Sequence, residues 1–96
     1  MLLYLSYQFG ESATPERHVA IRDALRQGGA LDAYRLTQST LQSTWLIHTD
    51  RSPSEWGEHL RVHFGHDACV VITRIHDDEL WARLENKVLE WMKGKV

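Results

Sequence analysis

One cysteine, two prolines, no long apolar run and no excess of positive charge characterise this 96-residue chain. Each scarcity removes a class of protein. With Cys69 alone, no intrachain disulfide can form and no C-x-x-C metal-carrier motif exists. Cys69 stands within Ala68-Cys69-Val70-Val71-Ile72, where a small buried hydrophobe is expected. The apolar start Met1-Leu2-Leu3-Tyr4-Leu5 has no basic segment before it and is broken by Ser6 and Gln8, so it does not read as a signal peptide. No stretch approaches the roughly 20 apolar residues of a membrane span. A cytoplasmic protein without a membrane partner is therefore expected. A net charge of −2 gives no bulk attraction to a polyanion, so any nucleic-acid contact must come from a local concentration of arginines, as in the groove of a dimer. Gly-rich phosphate loops are absent, and Cys69-Val70-Val71-Ile72-Thr73-Arg74 offers no stacking aromatic of the RNA-binding kind.

What is present reads as one globular domain over residues 1–96, with 43% hydrophobic and 25% charged residues. Leu2 to Phe9 alternate as a strand with apolar residues on both faces near its start, as a central strand covered on both sides should. Thr14-Pro15 supplies an N-cap with proline at the first helical position, and the helix runs to about Gln27 before Gly28-Gly29. Ala20, Ile21, Ala24 and Leu25 form its apolar stripe, with His18, Arg22 and Arg26 on another face. Leu31 to about Ser39 and Ser43 to Thr49 read as a hairpin of two strands, with the turn obscured by the near-duplicates Gln38-Ser39-Thr40-Leu41 and Gln42-Ser43-Thr44-Trp45. Ser52-Pro53-Ser54-Glu55 is a capping box, and it opens a helix that places Trp56, Leu60, His63 and Phe64 on one face. Cys69 to Ile75 is a fourth strand. Asp77 caps a last helix over 77–93, whose stripe of Leu80, Leu84, Val88 and Trp91 is widened by Trp81, Leu89 and Met92. That broad surface either covers the chain's own sheet or meets a partner.

Three constellations could carry chemistry. His59, His63 and His66 are spaced H-x3-H-x2-H, which could present three nitrogens to zinc; packed or exposed histidines explain the same spacing, and no Glu stands where a zinc protease needs one. His76-Asp77-Asp78-Glu79 gathers oxygen ligands for a hard cation, although capping and the helix dipole account for the same carboxylates. Arg22 and Arg26, with His18, possible additions from Arg17 and Arg35 on the following strand, form the best phosphate-contacting face, against the ordinary solvated helix face. Ser39, Thr40, Ser43 and Thr44 have no His or Lys base at a recognisable motif spacing.

The element order strand, helix, strand, strand, helix, strand, with Tyr7 near the end of the first strand and the segment Gln42-Ser43-Thr44-Trp45-Leu46-Ile47, resembles the small ferredoxin-like nuclease subunit of CRISPR spacer adaptation and its stand-alone relatives, among them the virulence-associated protein D-like ribonucleases. The likeness spans residues 2–76. It implies an α+β ferredoxin-like βαββαβ sandwich, here with an additional C-terminal helix, and a homodimer whose two sheets face one another. In the active nucleases of this family an Asp at the end of the first strand helps to bind magnesium; here Gln8 stands at that place, a neutral amide that gives a hard cation no anionic ligand. No catalytic residue is therefore assigned. Tyr4, Ser6 and Gln8 are expected on the helix-free face, meeting a partner or the extra helix, with Trp81 and Met92 as further interface candidates. The leading expectation is a degenerate nuclease-like homodimer that binds nucleic acid through Arg22, Arg26 and Arg35, or binds protein, without a cofactor. The alternatives are an active endoribonuclease using magnesium or manganese held by His59, His63, His66, Asp77 or Asp78, and a small protein-interaction factor with no nucleic-acid role.

Overall fold

The computed structural model describes residues 1–9, 14–38, 42–65, 67–76 and 84–95. Its elements follow in the order β1 (Leu2–Gln8), α1 (Pro15–Gln27), β2 (Asp32–Gln38), β3 (Gln42–His48), α2 (Pro53–Phe64), β4 (Cys69–Ile75) and α3 (Asn86–Met92). The strands make one antiparallel sheet in the order β2-β3-β1-β4, the ferredoxin-like arrangement expected from the chain order. Both long helices begin where the sequence places their caps. Thr14 Oγ1 accepts the Arg17 amide at 3.3 Å, and the Ser52–Glu55 pair closes a reciprocal capping box with both bonds at 3.2 Å.

Alternation along the central strand β1 sends its residues into two cores. Leu3, Leu5, Tyr7 and Phe9 lie beneath α1 and α2 with Ile21, Leu25, Trp45, Ile47, Trp56 and Phe64. Leu2 and Leu46 point to the other side, where Val88 and Met92 of α3 cover them, flanked by Tyr4 and Tyr34. The extra helix thus packs on its own chain's sheet. Trp91 fastens it, donating from Nε1 to Asp32 Oδ2 at 2.8 Å, while Lys95 closes the helix end by donating to the Trp91 carbonyl at 2.6 Å.

The principal joint of the larger core is Trp56. Its ring is fully buried, its Nε1 donates to Thr49 Oγ1 at 3.0 Å, and it packs so closely on the end of α1 that a Cβ at Gly28 would stand 2.5 Å from the ring. Gly57, one residue on, is unlike Gly28. Its φ is not positive, and a Cβ there would meet only Ile72 Cδ1 at 4.0 Å, an ordinary contact. Gly57→Ala is therefore expected to stabilise the chain by about 0.5–1 kcal/mol through helix propensity, read as a rise in the midpoint of thermal unfolding. No change, or a fall, would mean that the glycine answers a packing need.

Three sequence expectations need correction. His18 is buried at 5% exposure and does not lie on the basic face, because it precedes Ile21 by three residues and Leu25 by seven and so shares their side of α1. Cys69 is exposed, because β4 is an edge strand and its first residue lies beside Gln8 on the face that carries Leu2 and Tyr4. The terminal helix does not extend unbroken from Asp77: Glu85 is extended at φ −61°, ψ 149° and caps a helix that starts at Asn86. Residues 77–83, including Asp77, Asp78, Glu79 and Trp81, lie outside the described residues, as do His66, Ser39 and Thr40.

Candidate functional site

Arg22 and Arg26 stand four positions apart on α1, which sets both on its exposed side, bordering the edge strand β2. Between α1 and β2 lies a cleft of about 320 Å³, lined by Arg22, Arg26, Leu25, Ala33 and Trp45 among others. Arg22 has a single loose pair, 3.6 Å from the adjacent Asp23, with both side chains half in solvent. Such a pair contributes little. No ion pair to the Arg26 side chain is formed by the described residues.

Arg35 stands further along β2, the strand that borders this cleft, and is not one of the residues lining it. It lies opposite Trp45 in the β2–β3 ladder and shares its face, with the guanidinium carbon 5.8 Å from the indole. One arm, Nη2, donates to Ser43 Oγ at 2.6 Å, while Nε is buried with no partner among the described residues. No carboxylate pairs with this half-buried cation among the described residues. Behind it runs a buried polar chain. Ser43 Oγ is 3.1 Å from His18 Nδ1, His18 Nδ1 is 3.4 Å from the Tyr7 hydroxyl, and Trp45 Nε1 donates to that hydroxyl at 3.3 Å. Arginine can only donate, so the Ser43 oxygen accepts from Arg35, and the same hydroxyl lies within hydrogen-bond distance of His18 Nδ1.

Serine beside histidine invites a nucleophile and base reading, which the geometry rejects. Ser43 is 0% exposed and His18 5%, so no substrate atom reaches the hydroxyl, and the Arg35 bond draws on the lone pair that an attack would use. The network instead fixes where Arg35 stands. It is the part of the site that the sequence did not disclose: Tyr7, His18 and the pair Ser43 and Trp45 come from three separate segments. The available signal was alternation, since Ser43, Trp45 and Ile47 share one strand face and Tyr7 shares it on β1.

The remaining candidates are dispersed. His59 packs edge-on to Trp56 with ring centroids 5.7 Å apart, and its Nε2 lies 2.9 Å from the Ala24 carbonyl, while His63 is half-buried on α2. Among the described residues no three His, Cys, Asp or Glu side chains are grouped to hold a metal ion. Gln8 is exposed at the end of β1, and its ladder neighbours are Gln42 and Cys69, neither of them a carboxylate. Of the interface candidates, Tyr4 is half-buried beside α3, Ser6 is half-buried, and Met92 lies within the second core of its own chain. Arg17 belongs to the fold rather than to the cleft: it lies 4.1 Å over the Phe9 ring, donates to the Phe64 carbonyl and pairs with Asp67 at 3.4 Å, tying α1 to the end of α2. Among the described residues no helix is long and apolar enough to cross a membrane. No known protein-family model matches the chain, and no curated protein matches it.

Proposed function

We propose that this chain is a non-catalytic binding module on a nuclease-like ferredoxin fold, acting as a homodimer that seats nucleic-acid phosphates in the cleft between α1 and β2. The observation that carries this reading is Arg35, a half-buried guanidinium with no carboxylate partner and no partner for its buried Nε among the described residues, on the strand bordering a cleft lined by Arg22 and Arg26. Arg22, held by its loose pair with Asp23, and Arg26 line one concavity in which the carboxylate of Asp32 is already bonded to Trp91 and the Ala33 amide. Such guanidinium groups are what a phosphate backbone neutralises, and the planar fork of arginine matches phosphate oxygens two at a time. The small overall negative charge does not oppose this, since screening limits its reach to about 8–10 Å at physiological salt. At the end of β1, Gln8 is neutral and its ladder neighbours Gln42 and Cys69 are not carboxylates, so among the described residues this position gives a hard cation no anionic ligand, which supports binding without metal-dependent hydrolysis.

The test is anisotropy titration of labelled single-stranded RNA and duplex DNA across a salt series, with cleavage monitored in magnesium, in manganese and in chelator. Three phosphate contacts per chain predict a slope of about −2 in log K against log salt for a single strand. Arg22→Ala with Arg26→Ala should weaken binding at least tenfold and flatten that slope by about 1.4. Chelator-sensitive cleavage would replace this reading with the active nuclease. Absence of salt-dependent binding would leave the protein-interaction factor.

A further inference from the structure

The two edges of the sheet are built differently. β2 carries a register shift between Arg35 and Thr37, and Trp91 of α3 is bonded to its first residue, Asp32. A bulge and an overlying element are standard means of keeping an edge from pairing with another strand. β4 has neither. Its seven residues pair with β1 in unbroken register from Leu2↔Ile75 to Gln8↔Cys69, it contains no proline or lysine, and Val71 is 58% exposed at its centre. Among the described residues no strand pairs with its outer edge.

From this asymmetry we infer that β4 is the seam of the homodimer, pairing antiparallel with β4 of a second copy to give a continuous eight-stranded sheet. The inference rests on the homodimer in the functional reading above and assigns its geometry. A two-fold axis normal to the sheet keeps each residue on its own face, so opposed residues must share parity. The one register that uses all seven residues puts Ile72 on the axis, with Val71 facing the partner's Thr73, Val70 facing the partner's Arg74 and Cys69 facing the partner's Ile75. That register is self-complementary: the strand's only basic residue, Arg74, meets a valine, and no like charges are opposed.

The helix side of the seam supplies further area. A groove of about 450 Å³ runs between α2 and β4, floored by Phe64, Val70 and Ile72 with Gly57 and Arg61 at its border, and the partner's Ile72 would enter it. Strand pairing together with this groove fits the roughly 1,200–2,000 Å² of a specific interface better than the edge alone. Stacking of the two sheets face to face is hindered, because α3 lies across Leu2 and Leu46 on the face that such stacking would use.

The experiment is molar mass by light scattering on three forms of the full chain. Wild type should have twice the 11.2 kDa of one chain. Val71→Lys with Thr73→Lys sets lysines opposite one another twice across the axis, at two side chains already in solvent, and should return 11.2 kDa with an unchanged circular dichroism spectrum. Val71→Lys with Thr73→Glu opposes lysine to glutamate in the same register and should restore the dimer. A monomeric wild type overturns the homodimer and the seam together. A dimer indifferent to the double lysine variant overturns the seam and leaves the homodimer standing.

Discussion

Trp56→Ala is expected to lower the unfolding free energy by about 3–5 kcal/mol, a large part of the stability of a domain this size. Removing the indole opens a cavity where α1, α2 and the sheet meet, since the ring is fully buried and touches the end of α1 at Gly28. It also deprives the buried Thr49 hydroxyl of the Nε1 donor at 3.0 Å, leaving that oxygen with the Arg51 amide at 3.1 Å. Arg51, whose guanidinium carbon lies 5.0 Å from the ring and whose Nη1 bonds the Gly28 carbonyl, loses its aromatic partner as well. A urea titration checks this directly: the midpoint should fall sharply while the slope with denaturant stays constant. A loss under about 1 kcal/mol would mean that the helices are held to the sheet elsewhere.

The elements that sequence located best are those whose signals are local. The Thr14-Pro15 and Ser52-Pro53 starts declare a helix within four residues, because a cap side chain and a proline act on adjacent amides, and both helices begin there. The β4 run Cys69–Ile75 is bounded as its β-branched composition indicates. Exposure was legible only where it follows from periodicity. Cys69 sits in an apolar run and still faces solvent, because being an edge strand is a property of sheet order, which residue type does not encode. His18 illustrates the converse. Its charge type groups it with Arg22 and Arg26, but its angle around α1 groups it with Ile21 and Leu25, and buried hydroxyls supplied from β3 and β1 make that placement tolerable. The arginine cluster was visible as residue types, whereas the polar chain that positions Arg35 joins partners 8 and 25 residues apart and has no sequence signature.

Arg35→Met separates what Arg35 does for the fold from what it does for binding. Among the described residues no carboxylate offsets the desolvation of this half-buried charge, and an apolar side chain of similar length often leaves stability unchanged or higher. The variant gives up one bond to Ser43, but the serine hydroxyl stays within hydrogen-bond distance of His18 Nδ1. Unfolding free energy is accordingly expected within about 1 kcal/mol of wild type. Nucleic-acid affinity should fall by about 10–100-fold, the loss of one charge-assisted phosphate contact of roughly 1.5–3 kcal/mol. Arg35→Lys should recover only part of it, because a lysine lacks the fork that could hold Ser43 and a phosphate together. Paired urea and anisotropy titrations on the same preparations decide the matter. If the methionine variant loses several kcal/mol of stability, the guanidinium is a structural strut of the Ser43–His18 chain; if it keeps both stability and affinity, the phosphate site does not include β2. A loss of affinity with stability intact is the result that only a binding role produces.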